Sequence, residues 1–458
     1  MFGLEEYKKE GVLDLRALLS ISIGSVIGSG VVTVIGAAIG QTGKSAWLAY
    51  AGAVLLGFVL IAPFIMVSSM FRLRGGDYTI IASVLGTRMA GIYVMNFIFT
   101  NLATSLTATA MGIYARSLIP SLDAQAVSLV ALTFFFGVNL LGVKAMSRLQ
   151  KSMSVILIAA LATFCIVGFG QLLPGTFSIA ESGYFLNGDR GFLNAMVMLV
   201  ISTTMHQTLA AFGGDAIHPK RDIPTAMIAT SFIILVIYTS LGLVAANALP
   251  ISMVADQPLT LVAKKILPMP LFVFFMIGGP IGAICTTLNS TFTAASKPLL
   301  QGAEDGWFPS FFQRTNRFGA PVGFMVCLYV VALVPILLKF DISTITNNAG
   351  FIYYMIKLVS LAAILKIPGK YPKQFGDSWL CISKRVFYSV MAAAFAAQCM
   401  MIYVSARNLS WIHIIVSLLM LAAACGAALY RMRTGKVKID KEDLDDNSKG
   451  KYIDGIPS

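Results

Sequence analysis

The sequence has 458 residues, of which 57% are hydrophobic and only 12% are charged, and its mean hydropathy is +0.80. A soluble protein carries roughly 25% charged residues because water must wet its surface. The composition therefore excludes a soluble enzyme, a disordered scaffold and a secreted disulfide module, and it indicates a protein whose solvent is mostly lipid.

Long apolar runs divide the chain into segments of about the 20 residues that a helix needs to cross a bilayer. A β-barrel would have short alternating segments instead, so the runs predict an all-α polytopic membrane protein. The third and eighth runs exceed the bilayer thickness, and we expect them to tilt or to protrude. The twelve predicted spans are 18–39, 46–71, 83–118, 125–142, 152–174, 191–213, 225–248, 268–302, 321–338, 345–366, 385–406 and 409–430.

Lysine and arginine residues are distributed unevenly between the two sides of these spans. The termini and the even-numbered connections hold 26 of them, whereas the odd-numbered connections hold 7. Basic residues accumulate on the cytoplasmic side of membrane proteins, so both termini are predicted to be cytoplasmic. The net charge of +13 thus reports orientation in the membrane and not a nucleic-acid partner.

The first span contains the segment GSVIGSG at 24–30. Closely spaced glycines weaken a helix, and an unwound segment survives in lipid only where it lines a cavity. Such a break exposes amides on one half-helix and carbonyls on the other, which together can hold a carboxylate and an ammonium group. The alternative is that these glycines are small residues that allow helices to pack closely.

Four segments, in this order, resemble signatures of the amino acid–polyamine–organocation transporter superfamily. The first span is similar to the family's GxxIGxGIF segment, and RGGDYTIIASVLG at 74–86 to its GGxYxYxxxxxG entry to the third helix. HPKRDIPTAM at 218–227 resembles the NPxRxIPxAI turn after the sixth helix, and 294–323 resembles the link between the eighth and ninth. Order and spacing agree over about residues 15–370.

The resemblance implies the LeuT-like fold, in which two inverted five-helix repeats bind substrate halfway across the membrane, between broken first and sixth helices. The family's carboxylate contacts fall on backbone amides around Gly28, Ser29 and Gly30. The substrate's ammonium group would face carbonyls near Val26 and Ile27 and those of the sixth helix. The resemblance implies a cytoplasmic N-terminal segment at 1–16, followed by a first repeat at 17–174 and a second repeat at 175–368. Peripheral helices 11 and 12 at 369–431 and a cytoplasmic tail at 432–458 come after them.

The sixth span departs most from the family. The family's aromatic and glycine segment falls on ISTTMHQ at 201–207, which has neither residue type. A break is still expected, because the hydroxyls of Ser202, Thr203 and Thr204 can bond freed backbone groups. We predict that Thr203, Thr204 and His206 line the substrate site. For His206 three roles stay open, namely a neutral histidine bonded between helices, a substrate contact and a proton carrier.

Coupling to an ion has two candidate sites, because Leu157 occupies the position of the fifth-helix lysine of proton-linked relatives. In one, hydroxyls of the eighth span join first-helix carbonyls in an oxygen cage for Na⁺, with helix packing as the competing role. In the other, Lys357 faces the interior as the coupling group for H⁺ or as the partner of a substrate carboxylate. The competing interpretation is that its stem reaches the cytoplasmic interface. The hydroxyl candidates are Thr286, Thr287, Ser290 and Thr291.

Aspartate and glutamate are missing from the central part of every predicted span, and the nearest, Asp77 and Asp215, fall at cytoplasmic span ends. A cationic substrate needs a carboxylate to offset its buried charge, so the pattern disfavours polyamines and, less firmly, lysine or arginine. We therefore predict neutral polar lining from Asn101, Thr104 and Asn289.

Together these features predict a secondary transporter of a neutral or zwitterionic amino acid in the plasma membrane, working by alternating access as an ion-coupled symporter or an exchanger. The sequence has no Walker A loop, HExxH motif or CxxC pair, so we expect no enzymatic activity, no metal and no cofactor besides a coupling Na⁺ or H⁺. The expected partners are the amino acid and membrane lipid. An amino-acid sensor, a partner-dependent subunit and a channel remain alternatives.

Overall fold

The computed structural model describes residues 11–179, 183–338, 342–407 and 409–439, without the side chains of 29–33, 117 and 342–349. Within these residues the chain is helical and has no strand. One isolated parallel bridge joins Leu13 to Ala216. Nine helical stretches of the described chain are long and apolar enough to cross a membrane, and three shorter ones are apolar as well.

Helices of the first half correspond to the first five predicted spans. The third predicted run is not one tilted helix, because Gly86 has φ +85° and ends the helix before it, and a turn at Asn101 and Leu102 divides the rest. The helices are α1 (Leu15–Val26), α2 (Ser29–Thr42), α3 (Ala46–Ser68), α4 (Asp77–Val84), α5 (Thr87–Thr100), α6 (Ala103–Leu118), α7 (Ala124–Leu140) and α8 (Gly142–Phe169).

The second half begins at Gly188 and is less regular. The eighth predicted run is interrupted by a π-helical turn at Ile277–Ile281, which contains Pro280 and therefore lacks one backbone donor. Its helices are α9 (Gly188–Val200), α10 (Pro219–Asn247), α11 (Ile251–Val254), α12 (Leu259–Ile266), α13 (Met269–Met276), α14 (Gly282–Glu304), α15 (Val322–Leu337) and α16 (Ile342–Leu365).

The last four helices are α17 (Ile367–Lys370), α18 (Pro372–Gly376), α19 (Lys384–Arg407) and α20 (Trp411–Arg433). Large apolar side chains of α20 are exposed, among them Trp411 at 80% and Ile412 at 72%. An exposed apolar face of this kind is stable against lipid and not against water. The helix therefore lies at the periphery of the bundle, where it packs on α5 and α16.

The core lies where α1 packs against α8, α10 and α14, and where α3 packs along α10. Small residues allow these close approaches. A Cβ on Gly24 of α1 would lie 1.8 Å from Gln150 Nε2, and a Cβ on Gly57 of α3 would lie 2.1 Å from Thr203 Oγ1. These approaches bring α1 against α8 near its end, and the residues that follow α9 against α3.

Candidate functional site

The first helix is interrupted at the second glycine of the GSVIGSG segment. α1 ends at Val26, Ile27 and Gly28 are not helical, and α2 begins at Ser29. A Cβ on Gly28 would lie 2.7 Å from Thr287 Oγ1, so the backbone there approaches α14 closely. The glycines of this segment were expected either to break the helix or to allow close packing. Gly24 allows close packing, and Gly28 lies at the break. The first amides of α2, from Ser29 onward, have no partner within that helix, and backbone amides of this kind are the donors that anions accept from at helix N-termini.

The sixth helix changes its winding instead of unwinding. α9 ends at Val200, and the chain continues as 3₁₀ turns at Ile201–Thr203 and Met205–Phe212, with Thr204 between them. The Ser202 hydroxyl donates to the Leu199 carbonyl at 2.7 Å, and the Thr203 hydroxyl donates to the Val200 carbonyl at 2.8 Å. Two of the three predicted hydroxyls thus bond backbone carbonyls beside the irregularity, while Thr204 is buried next to them.

Tyr238 of α10 joins the two irregular segments. Its hydroxyl lies 3.0 Å from the Val26 carbonyl and 3.2 Å from the Ser202 carbonyl. The Val26 carbonyl also accepts from the Gly28 amide at 3.0 Å. Its oxygen has two lone pairs, and the Tyr238 hydroxyl and the Gly28 amide are two donors for them. Tyr238 was not among the residues predicted from the sequence. The one local signal for it is a tyrosine within an apolar run, because a buried hydroxyl needs a hydrogen-bond partner.

His206 lies in the second 3₁₀ turn and is 1% exposed. Its Nε2 lies 3.0 Å from the Ser231 hydroxyl of α10, and that hydroxyl is 2.9 Å from the Met227 carbonyl. Nδ1 has no hydrogen-bond partner in the described part of the chain. The imidazole is therefore directed at α10, in the arrangement of a histidine bonded between helices.

The other predicted lining residues lie in two different places. Asn101 Nδ2 donates to the Phe97 carbonyl at 2.9 Å, and Thr104 is buried one turn further along. Asn289 donates to the Met146 carbonyl at 2.9 Å and to Gln150 Oε1 at 2.6 Å. It belongs to a polar cluster between α7, α8 and α14, whose other members, which sequence reasoning missed, are Asn139, Gln150 and Thr293.

Comparison with known proteins assigns the chain to a family. A family model for amino acid permeases matches residues 13–425. The chain belongs to the amino acid permease family. The resemblance to the amino acid–polyamine–organocation superfamily is thereby confirmed.

Three relatives of this permease have similar sequences. It is 26% identical to the lysine-specific permease LysP of Lactococcus lactis over 72% of this chain and 70% of that protein. It is 25% identical to the histidine permease HisP of the same organism over 71% and 72%. It is 24% identical to the gamma-aminobutyric acid permease of Bacillus subtilis over 80% and 81%.

Of the four hydroxyl residues predicted for a Na⁺ cage, Thr287 reaches the first helix. Its Oγ1 lies 3.2 Å from the Gly24 carbonyl and 3.0 Å from the Ala283 carbonyl. Thr286, Ser290 and Thr291 donate to carbonyls of their own helix, at Ala283 and Thr287. One of these hydroxyls therefore joins α14 to α1 close to the break.

The position of the family's fifth-helix lysine is filled by Leu157, which is fully buried in the permease. One turn earlier on the same helix, the Ser154 hydroxyl donates to the Ser20 carbonyl of α1 at 2.9 Å. The Gln150 amide approaches the same carbonyl at 3.4 Å. Neutral donors thus hold α8 to the first helix beside an apolar side chain.

Lys357 is buried and ion-paired. Its Nζ lies 2.6 Å from Asp77 Oδ2, which also accepts from the Ser360 hydroxyl at 2.9 Å. The ammonium lies 4.8 Å from the Phe64 ring centre and 5.4 Å from the Tyr353 ring centre. With 7% exposure the side chain is enclosed by protein, and its ammonium group reaches Asp77, a residue that lies outside the predicted spans. Its partner was missed because Asp77 precedes the third predicted span.

A hydrogen bond connects this ion pair to the sixth helix. Gln207, which follows His206, donates to the Tyr353 hydroxyl of α16. Tyr353 in turn packs against the Lys357 ammonium. The second irregular segment is thereby linked through α16 to the first residue of α4.

Charged side chains and backbone groups meet just past the ends of α3 and of the sixth helix, beside α14. We call this the charged end, and it holds Arg72, Asp215 and Lys297. Lys297 forms an ion pair with Asp215, and Arg72 Nε donates to the Gly213 carbonyl at 3.0 Å. The amides of Val12 and Leu13 donate to the Asp215 carbonyl at 2.8 and 2.9 Å. The segment before α1 is thus fixed to the end of the sixth helix.

Proposed function

We propose that this permease is a secondary transporter that carries a neutral or zwitterionic amino acid across the plasma membrane. The supporting observation is that the first and sixth helices are both irregular at one place, within hydrogen-bonding distance of the same Tyr238 hydroxyl. An amino acid has one carboxylate and one ammonium group, which need amides and carbonyls side by side. The break at Ile27 and Gly28 has both kinds of group.

Within that site we assign the carboxylate to the amides that begin α2, at Ser29 and Gly30. The ammonium group is assigned to the Ile27 carbonyl rather than to Val26, because two donors already approach the Val26 oxygen. Thr203 and Thr204 directly follow Ser202 in the sixth helix, and they form the opposite wall of the proposed site.

A neutral side chain is favoured by the pairing of the carboxylates. Asp77 binds Lys357, and Asp215 binds Lys297. A cationic side chain that approached either of these carboxylates would have to displace a lysine from a buried partner, which is costly. The relatives are named for lysine, histidine and gamma-aminobutyric acid, so kinship supports an amino acid or related zwitterion and no particular side chain.

The proposed cycle is alternating access between two inverted repeats at 17–174 and 175–368, with both termini in the cytoplasm. The excess of basic residues on that side supports this orientation. The charged end then faces the cytoplasm, and the contacts of Lys297 and Arg72 with the end of the sixth helix close the inner path. Substrate release to the cytoplasm requires these contacts to break.

We propose two candidate ions, Na⁺ and H⁺, for coupling to transport, and a different contact supports each of them. The Thr287 hydroxyl and the Gly24 and Ala283 carbonyls bring three oxygens together beside the break, as a hard cation such as Na⁺ requires. Asp77 and Lys357 form the other candidate, since a carboxylate paired with a lysine can exchange a proton when the pair opens. Exchange without a coupled ion is the third mode.

The deciding experiment is transport by the purified protein in liposomes. We expect saturable counterflow of labelled neutral amino acids, measured with and without Na⁺ and a pH gradient, and no uptake by protein-free liposomes. A ligand-induced thermal shift without flux would favour a sensor instead, and flux that does not saturate would favour a channel. Faster uptake of lysine than of every neutral amino acid would contradict the proposed substrate class.

A further inference from the structure

We propose that Tyr238 is a positioning residue of the substrate site, whose single hydroxyl holds the interrupted first and sixth helices at a fixed separation. The proposal rests on the proposed function, because it concerns the backbone groups assigned to the substrate. Tyr238 does not itself bind the amino acid. It acts through the two carbonyls that it bonds.

The geometry of the hydroxyl is that of a shared donor. Val26 is the last residue of α1, so its carbonyl has lost its partner in the next turn, and Ser202 lies in the first 3₁₀ turn. Both carbonyls lie within 3.2 Å of the Tyr238 oxygen. One proton directed between two acceptors forms a three-centre bond, which is common at helix ends. The bond therefore connects the two segments that must surround the substrate.

The ring that carries this hydroxyl is fixed by its surroundings. Tyr238 is fully buried, and its ring centre lies 5.4 Å from that of Tyr50 on α3. Gly242, one turn further along α10, allows the approach, because a Cβ there would lie 2.9 Å from Tyr50 Cδ2. A rigid ring leaves the hydroxyl little freedom to follow either segment alone.

The consequence for the substrate follows from the planarity of the peptide bond. Holding the Val26 oxygen orients the peptide unit between Val26 and Ile27, and holding the Ser202 oxygen orients the unit between Ser202 and Thr203. The next carbonyls, at Ile27 and Thr203, then have restricted directions. Ammonium binding depends on such directions, because a displaced acceptor loses most of its hydrogen bond.

The test compares Tyr238→Phe with a matched control, Tyr354→Phe. Both tyrosines are buried in spanning helices, but the Tyr354 hydroxyl has no partner in the described structure. Each variant is reconstituted for uptake kinetics and also measured by hydrogen exchange without substrate. The exchange measurement covers segments 22–28 and 199–206, and it does not require that the substrate be known.

We expect Tyr238→Phe to raise KM by about fivefold to tenfold while changing kcat by less than about twofold, as for a lost hydrogen bond that orders the ground-state site. Amide exchange should accelerate in both segments, and Tyr354→Phe should match the wild type in both measurements. Wild-type KM in Tyr238→Phe, or faster exchange in one segment alone, would overturn the proposal. If the wild-type protein takes up no amino acid, the proposed function fails, while the exchange data still decide whether Tyr238 joins the helices.

Discussion

The interruptions of the first and sixth helices differ in how the backbone is satisfied. Between α1 and α2 the chain leaves the helical conformation for Ile27 and Gly28, and Gly28 is extended with φ −117° and ψ −163°. The sixth helix stays wound and tightens into 3₁₀ turns on both sides of Thr204. Glycines accompany the first interruption, and hydroxyl residues accompany the second.

This difference makes the site asymmetric. In the sixth helix the Ser202 and Thr203 hydroxyls already occupy the carbonyls of Leu199 and Val200. In the first helix the amides at the start of α2 have no partner within that helix. In the proposed site the first helix therefore provides the backbone groups that are free of helical partners, and the sixth helix is the wall whose carbonyls already accept hydrogen bonds. Each substitution below perturbs one of these sides.

The largest effect is expected from Gly28→Val on the first-helix side. A Cβ at this position would lie 2.7 Å from Thr287 Oγ1, and a branched side chain would also fill the gap where the backbone is open. We expect loss of substrate binding and uptake, measured by thermal shift with ligand and by counterflow.

The matched control for this change is Gly426→Val on α20, where a Cβ would meet nothing within 4 Å. It should transport like the wild type. Wild-type uptake by Gly28→Val would show that the substrate does not bind at the first interruption.

The next largest effect concerns the ion pair that supports the sixth-helix side through Tyr353 and Gln207. Asp77→Asn leaves the Lys357 ammonium buried without its counter-charge, which costs about 3–5 kcal/mol of stability. Lys357→Met leaves the Asp77 carboxylate buried without a counter-charge. The combined variant, with both substitutions, should recover most of the lost stability, because neither charge then remains. Thermal unfolding in detergent measures the stability of the three variants.

Transport by the combined variant separates structure from coupling. If Asp77 and Lys357 carry the coupled proton, uptake should lose its dependence on a pH gradient although the protein is stable. Uptake by Lys357→Met that equals the wild type from about pH 5 to 8 would remove this lysine from the coupling mechanism.

A smaller effect is expected from Thr287→Val, again on the first-helix side. The change keeps the side-chain shape and removes the oxygen that lies 3.2 Å from the Gly24 carbonyl. If Na⁺ binds there, its half-saturating concentration for uptake should rise by about tenfold, as one lost polar ligand would cause.

Thr286→Val is the control, because the Thr286 hydroxyl bonds the Ala283 carbonyl of its own helix. If the two variants had the same half-saturating Na⁺ concentration, or if uptake by the wild type did not depend on Na⁺, a cage at Thr287 would be contradicted.

Local sequence predicted the apolar helical runs and the places of both irregular segments, since glycine spacing, apolar length and hydroxyl content act within a few residues of where they occur. It did not predict that the third and eighth runs are divided. It also did not predict the contacts that join the helices and the irregular segments. Tyr238 and Val26 are separated by 212 positions, and Lys357 and Asp77 by 280. Periodicity contains no information on such pairs, because they depend on how distant helices cross. The sequence therefore offered an interior position for Lys357 as one of two interpretations, and it did not identify the carboxylate that pairs with it.

The smallest effect is expected at the start of the first helix, far along α1 from its interruption. Asp14 caps α1 by accepting from the Ala17 amide at 2.8 Å, and Lys151 lies 3.0 Å from the same oxygen. The Ala17 hydrogen bond, assisted by Lys151, lowers the pKa of the Asp14 carboxyl. Since the folded pKa lies below the unfolded value of about 3.9, this stabilisation is complete above that pH and is lost as the pH falls through the folded pKa.

Asp14→Ala should lower the free energy of unfolding by about 1 kcal/mol and leave the KM for substrate unchanged, because the cap does not reach the site. Asp14→Asn can still accept from the Ala17 amide, so it should retain most of the stability and lose its acid dependence. Thermal unfolding of the three proteins between about pH 3 and 7 measures both effects. A raised KM in Asp14→Ala would contradict the separation of the cap from the interrupted end of α1, since it would mean that the start of the helix and the site change together.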